Sequence, residues 1–313
     1  MSAPDAPAEV AARVVESFGR RAIVETEQGE RVPAELFGKR LTVVCGDQVM
    51  VRQAHASGSD SMPRIISVIQ RRTLFQRTDS RGRTEPLAAN LSLLAAFIAP
   101  EPAPDPYMLD RYLAGAAYSS VRGAVIVNKS DLPATGAPEF VALIDEYRRA
   151  GYPVFTLSAL HADAVEQMRE LLRGNITMLA GQSGVGKSTF TNALVPASER
   201  VTRALSDLSR EGRHTTVSTA LFRIPGGGEL IDSPGVRDYA PALVDDSFVQ
   251  TGWPEIRALA GQCKFNNCLH LREPGCVVIQ AVANLSISPR RYDSYKRLLN
   301  IMRGLAPDYE RRR

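Results

Sequence analysis

Eight consecutive residues carry the most specific chemistry in the chain. Gly181-Gln182-Ser183-Gly184-Val185-Gly186-Lys187-Ser188, continued by Thr189, fits G-x-x-x-x-G-K-[ST], the phosphate-binding loop. Glycines at 181, 184 and 186 let successive N–H groups turn toward phosphate oxygens, and the positive end of a following helix adds to the cradle. Lys187 is placed to reach the terminal phosphates and Ser188 a magnesium ion. The residues before the loop, 175–180, read as a strand and those after it, 189–194, as the start of a helix, which is the context the motif requires.

The loop alone leaves ATP and GTP open, and the discriminating residues lie upstream. Asn128-Lys129-Ser130-Asp131 follows the apolar run 124–127 and so falls at the carboxyl end of a strand, where ligands bind in open α/β sheets. A carboxylate at 131 accepts from two donors side by side, which the guanine edge offers and adenine does not. Such a site discriminates by roughly 10⁴-fold, because the wrong base leaves the acceptor unpaired. Asn128 is expected on the other side of the base. Ser158-Ala159, after the run 154–157, supplies a backbone N–H for the guanine carbonyl. Asp232-Ser233-Pro234-Gly235 follows an apolar pair and fits D-x-x-G, with Asp232 serving magnesium and the Gly235 N–H sensing the terminal phosphate.

A third group of ligands lies near the carboxyl end. Cys263, Cys268, His270 and Cys276 supply three thiolates and an imidazole, enough to close a tetrahedral zinc with no open position, hence a structural metal. Buried free cysteines are the competing reading. Cys45 sits in a strand-like run and reads as core.

Elements that position these groups can be read coarsely. Short β-branched runs between residues 22 and 69, punctuated by glycines, indicate a small β-barrel or sandwich. An OB-fold is one such barrel, and the residues leave open whether it binds oligonucleotides or only packs on its neighbour. Arg64, Arg71, Arg72, Arg77, Arg81 and Arg83 follow with Phe75 among them; they form either a segment that tracks a phosphate backbone, Phe75 stacking on a base, or a solvated linker. From residue 91 strands at 91–98, 124–127, 154–157 and 176–179 alternate with helical patterns near 107–118, 138–150 and 162–172, the signature of a parallel sheet covered by helices. The proline-rich run 100–106 reads as a loop inside that domain. Ser288 and Pro289 open a final helix whose face carries Tyr292, Tyr295, Leu298, Leu299 and Met302. No run reaches membrane-spanning length, and a net charge of +4 over 313 residues confines any nucleic-acid role to local patches.

The order of the motifs departs from the Ras arrangement. N-K-x-D and Ser-Ala precede the phosphate loop and D-x-x-G, a circular permutation that a domain with adjacent termini tolerates. In this order, in residues 86–90 (Pro-Leu-Ala-Ala-Asn), in residues 212–216 (Gly-Arg-His-Thr-Thr) and in the Cys/His cluster, the chain resembles the ribosome small-subunit-dependent GTPase A family of bacteria. The resemblance implies a multi-domain α/β protein with an OB-fold, a permuted GTPase domain and a zinc-binding helical domain. With the composition of the segments between them, a disordered tail is expected over 1–12, the OB-fold over 13–70, a basic linker over 71–85, the GTPase domain over 86–240 and the zinc-binding domain over 241–313. It further implies GTP/GDP with magnesium, one structural zinc, and the small ribosomal subunit and its rRNA as partners, for a cytoplasmic monomer that contacts no membrane. Thr215 or Thr216 is expected on magnesium and the terminal phosphate. Val236 stands where Ras-like enzymes carry the water-positioning glutamine, so a slow intrinsic rate, on the order of 10⁻⁴ s⁻¹, is expected. His214 is either the substitute for that glutamine or a surface contact. The alternative function is a nucleotide-gated RNA-binding module whose hydrolysis is incidental; Asn128 and Asp131 disfavour an ATPase or kinase.

Overall fold

The computed structural model describes residues 8–53, 62–195, 219–232 and 239–305. Strands β1 (Glu9–Phe18), β2 (Arg21–Thr26), β3 (Arg31–Leu36), β4 (Gln48–Arg52) and β5 (Arg64–Val68) pair in the order β1-β2-β3-β5-β4, and β4 closes back on β1. β3 and β5 run parallel and the other pairs antiparallel, giving a five-stranded barrel with the OB-fold order. Alternate side chains point inward, and Val14, Val24, Ala34, Val49 and Ile65 are wholly buried.

Three local expectations are corrected. Residues 9–12, expected in the tail, belong to β1, because closing the barrel pairs Glu9 with Arg52 and Val10 with Val51. Residues 41–44 are irregular rather than strand; Asp47 accepts from the Val44 N–H at 2.9 Å and folds a turn there. The basic segment 71–85 is a hairpin rather than a linker, built from β6 (Leu74–Thr78) and β7 (Thr84–Ala89). Arg71 is spent on Asp47 at 2.7 Å, Arg77 on Glu85 and Arg83 on Asp79. Phe75 is wholly buried and stacks on Tyr239, which stacks in turn on Tyr112, with centroids 5.4 and 4.6 Å apart. Each such ring pair adds about 0.5–1.5 kcal/mol beyond area burial, so Phe75 is part of the core and meets no base.

The second sheet holds β8 (Leu93–Ile98), β9 (Arg122–Val127), β10 (Val154–Thr156), β11 (Ile176–Gly181), β12 (Ala220–Arg223) and β13 (Glu229–Asp232) in the order β10-β9-β8-β11-β13-β12. All neighbours are parallel except β12, which is antiparallel to β13. Central β8, Leu-Leu-Ala-Ala-Phe-Ile, is buried at every position, as a strand covered on both faces must be. Helices α1 (Pro106–Tyr118), α2 (Pro138–Arg149), α3 (Ala162–Leu172) and α4 (Lys187–Leu194) form the cover. The barrel joins the sheet where β1 meets β12 at Glu16 and Ala220, and Arg13 pairs with Glu229 across that junction.

Beyond residue 240 come α5 (Asp246–Val249), α6 (Pro254–Ala260), α7 (Val277–Ala283) and α8 (Pro289–Leu305). Ser288 Oγ accepts from the Arg291 N–H at 3.4 Å, capping α8. Tyr295, Leu298, Leu299 and Met302 pack with Trp253 into a separate core. Arg291, 2% exposed, bridges Asp110 of α1 at 2.7 Å and Glu255 of α6 at 2.5 Å, and Arg290 adds Asp110 and Glu146. Removing one partner from buried ions this costly to desolvate would strand a charge, so the network ties the carboxyl-terminal helices to the sheet domain. Among the described residues no helix is long and apolar enough to cross a membrane.

Candidate functional site

β11 runs directly into the phosphate loop, and the loop into α4. The backbone there is one that side chains resist. Gly181 has φ +136°, and a Cβ on it would lie 2.4 Å from Phe97 O; Gly186 has φ +94°, and its Cβ would lie 2.0 Å from Asn128 Nδ2. Asn128 directly follows β9 and bridges two other segments: Nδ2 donates to Val185 O at 2.7 Å, and Oδ1 accepts from the Ala159 N–H at 3.1 Å. One amide thereby fixes the upstream N-K-x-D turn against both the phosphate loop and the Ser158-Ala159 turn.

Asp131 Oδ1 accepts from Ser158 Oγ at 2.5 Å. That hydroxyl, ahead of Asp131's own N–H, holds the carboxyl below the ordinary aspartate range and keeps it an acceptor. Lys129, at φ +61°, donates to Glu101 O at 2.9 Å. Lys187 Nζ donates to Gly181 O at 2.7 Å and Gln182 O at 2.8 Å, its own loop's carbonyls. Burial draws its pKa down while the nearby Asp232 carboxylate opposes the shift. Asp232 ends β13, parallel beside β11, which sets it on the same sheet edge as the loop. Ser188 and Thr189 occupy the first turn of α4, Gln182, Ser183 and Gly184 the loop, and Val185 is buried beneath it. His214, Thr215, Thr216, Gly235 and Val236 lie outside the described residues. The arrangement is an anion cradle with a fixed carboxylate acceptor attached to its side.

The metal-ligand group is also assembled. One ligand atom from each of Cys263, Cys268, His270 and Cys276 lies within 4.8 Å of the others. Cys263 and Cys276 sulfurs are 3.8 Å apart, and a tetrahedron with zinc–sulfur bonds of about 2.3 Å has edges of about 3.8 Å. His270 Nε2 lies 2.6 Å from Gln250 Oε1, which as an acceptor fixes the proton on Nε2. Nδ1 is then a lone pair facing Cys276 Sγ at 3.3 Å and Cys263 Sγ at 3.6 Å, the tautomer a ligand needs. Burial lowers the His270 pKa, favouring neutral imidazole, and pushes the Cys268 thiol up to about 12. A thiol so disfavoured as an anion becomes a good ligand only beside a cation, so the donor set fits a divalent metal. Glu273 folds the intervening loop by accepting from Leu269, Leu271 and Arg272 N–H groups at 2.7–2.9 Å. Burial alone would raise its pKa, but these donors outweigh it and hold it at about 2. Cys45 stays apart, its thiol donating to Val15 O in the core.

A family model described as RsgA GTPase matches residues 68–241, more than half of the chain. The chain belongs to the RsgA GTPase family. The small ribosomal subunit biogenesis GTPase RsgA of Pseudomonas fluorescens Pf-5 is 39% identical over 292 residues, 91% of this chain and 84% of that protein. Its namesake from Pseudomonas aeruginosa LESB58 is 37% identical over 94% of this chain and 86% of its own. Among solved structures, YjeQ from Thermotoga maritima superposes with a TM-score of 0.72 at 25% identity, covering 94% of this chain and 99% of that one. YloQ, described as a circularly permuted GTPase, gives 0.71 at 21% identity, covering 99% and 100%, a likeness of fold.

Members of the RsgA GTPase family hydrolyse GTP, and the permuted order of motifs in this chain is built on a sheet of the same fold as YloQ. Three contributors escaped the sequence. Gln250 orients His270 from twenty residues upstream, where a lone glutamine carries no pattern. Glu101 and Pro102, in the proline-rich loop, border the cradle through Lys129 and Gly184; a Cβ on Gly184 would lie 3.5 Å from Pro102 Cδ. Their place at the carboxyl end of β8 was the available signal.

Proposed function

We propose that this chain is a GTP hydrolase that acts on the small ribosomal subunit late in its maturation, binds rRNA, and is stimulated by that subunit. The observation that carries the reading is the Asn128 bridge between Val185 and Ala159, which holds a guanine-selecting turn rigidly against a phosphate loop. In this reading Asp131 accepts from the guanine N1–H and N2 amino group, kept ionised by Ser158. Ala159 N–H meets the guanine carbonyl. Backbone N–H groups of residues 181–188 surround the phosphates, and Lys187 exchanges its two loop carbonyls for phosphate oxygens. Ser188 and Asp232 would hold a magnesium ion, which would supply neutralisation of the negative charge on the terminal phosphates. Cys263, Cys268, His270 and Cys276 hold zinc, which supplies folding energy and no chemistry.

With valine at 236, no amide side chain orients the attacking water from that position, so hydrolysis by the protein alone is slow and is accelerated by the partner. In this reading Thr215 or Thr216 meets the magnesium and the terminal phosphate, and His214 is either the substitute for the missing glutamine or a surface contact. The protein works as a cytoplasmic monomer: the GTP form engages the subunit and the GDP form leaves. Steady-state GTP hydrolysis measured with and without purified small subunits tests this. Stimulation is expected, and equal rates would sink the reading.

A further inference from the structure

A lone exposed ring is ordinary on a protein surface, but a ring set among uncompensated cations on a firmly built turn offers a ligand two kinds of contact at once. Phe37 is 51% exposed and lies one residue past the end of β3. Its N–H donates to Ile65 O at 2.8 Å. The turn after it folds around a single guanidinium: Arg20 Nη2 donates to Leu36 O and Gly38 O, both at 2.7 Å, and Nη1 to Leu41 O at 3.4 Å. Gly38, at φ +87°, allows the reversal. Arg64, the first residue of β5, sets Cζ 5.9 Å from the Phe37 centroid, a cation–π distance. Lys39 and Arg40 are exposed on the same turn. Among the described residues Lys39, Arg40 and Arg64 have no carboxylate partner, while Glu35, two residues before the ring, is taken by Arg21.

We propose that this turn is a stacking site for one unpaired base of single-stranded RNA, the base lying on Phe37 while Arg64, Lys39 and Arg40 meet the neighbouring phosphates. The inference rests on the reading of the chain as an RNA-binding factor and gives that binding a residue-level site. Each half of the site narrows the ligand. Uncompensated cations select a polyanion, and a flat exposed ring selects a π-face; a single-stranded nucleotide offers both. An acidic peptide would satisfy the cations and leave the ring in water. A second copy of this chain would bring cations against cations. The sequence offered Phe75 as one candidate stacking aromatic, but that ring is buried; Phe37 is an exposed ring that the fold leaves beside Arg64.

The test titrates the full-length protein into a short single-stranded oligoribonucleotide containing 2-aminopurine, reading affinity by anisotropy and stacking by fluorescence quenching. Phe37→Ala is expected to weaken binding about five- to a hundredfold and to abolish quenching. Phe37→Trp restores both. Arg64→Gln weakens binding and reduces the salt slope by about one while quenching persists. Thermal melting at the wild-type temperature shows that each variant keeps its fold. Wild-type affinity and quenching in Phe37→Ala would overturn the site, as would a wild-type protein that does not bind or quench the probe. Displacement of the probe by polyglutamate as readily as by unlabelled RNA would assign the patch to acidic protein and overturn it too. Subunit stimulation of GTP hydrolysis is read separately, so failure here and failure of the proposed function are distinguishable.

Discussion

The phosphate loop and the cysteine–histidine knot both gather polar groups where regular elements end, yet they treat those groups in opposite ways. In the loop, Lys187 rests on the carbonyls of Gly181 and Gln182, and Asn128 is satisfied by Val185 and Ala159. Both side chains have partners within the protein, so a ligand can enter and leave without stranding the lysine charge or the amide. In the knot, three thiols and an imidazole crowd within 4.8 Å, and burial opposes the ligating thiolate form of Cys268 and Cys276. That arrangement gains most when a cation is present and is costly without one. The first is built for exchange, and the second for retention.

Metal removal should give the largest separation between the two. Structural zinc contributes about 10–16 kcal/mol of apparent binding energy in small modules, and Trp253, the protein's single tryptophan, is buried in the core around the knot. Chelation, or Cys268→Ser, is expected to shift Trp253 emission to the red while GTP still binds. Because the thiols must lose protons to ligate, metal affinity falls as pH falls. Unchanged emission after complete metal removal would contradict a retained structural metal.

Asp131→Asn probes the exchange side, with an expected loss of GTP affinity of roughly 10⁴-fold and a gain for xanthosine triphosphate, read by nucleotide titration. Gly186→Ala follows. A Cβ there meets Asn128 Nδ2 at 2.0 Å on a left-handed backbone, and about a hundredfold weaker binding is expected from strain plus the lost bridge. Trp253 emission should stay in place in both variants; a shift would show that the two regions are not independent. Ser158→Ala is the smallest change, roughly three- to tenfold in affinity. It removes the main influence lowering the Asp131 pKa. Binding needs the carboxylate ionised and is lost as pH falls through its pKa, so the acid limb of the affinity profile should move to higher pH.

Much of this contrast was legible in the sequence because both sites are encoded by short spacings. The phosphate loop, N-K-x-D and the Cys/His cluster are local patterns, and strand–helix alternation gave the sheet that carries the first two. What escaped was decided by distant partners. Phe75 lies among arginines, yet Tyr239 and Tyr112 enclose it. Arg71 reads as a free cation until Asp47 is folded beside it. Residues 9–12 look like a tail until β4 pairs with them. Phe37 gave no signal at all, since exposure is a property of the closed barrel.

The central claim is that GTP held by the loop fastens this protein to the small subunit and that hydrolysis releases it. Cosedimentation with purified small subunits, with the protein loaded either with a nonhydrolysable GTP analogue or with GDP, tests it most directly. The account predicts cosedimentation in the first state and loss from the pellet in the second. Equal retention in both states would contradict it and make hydrolysis incidental to binding.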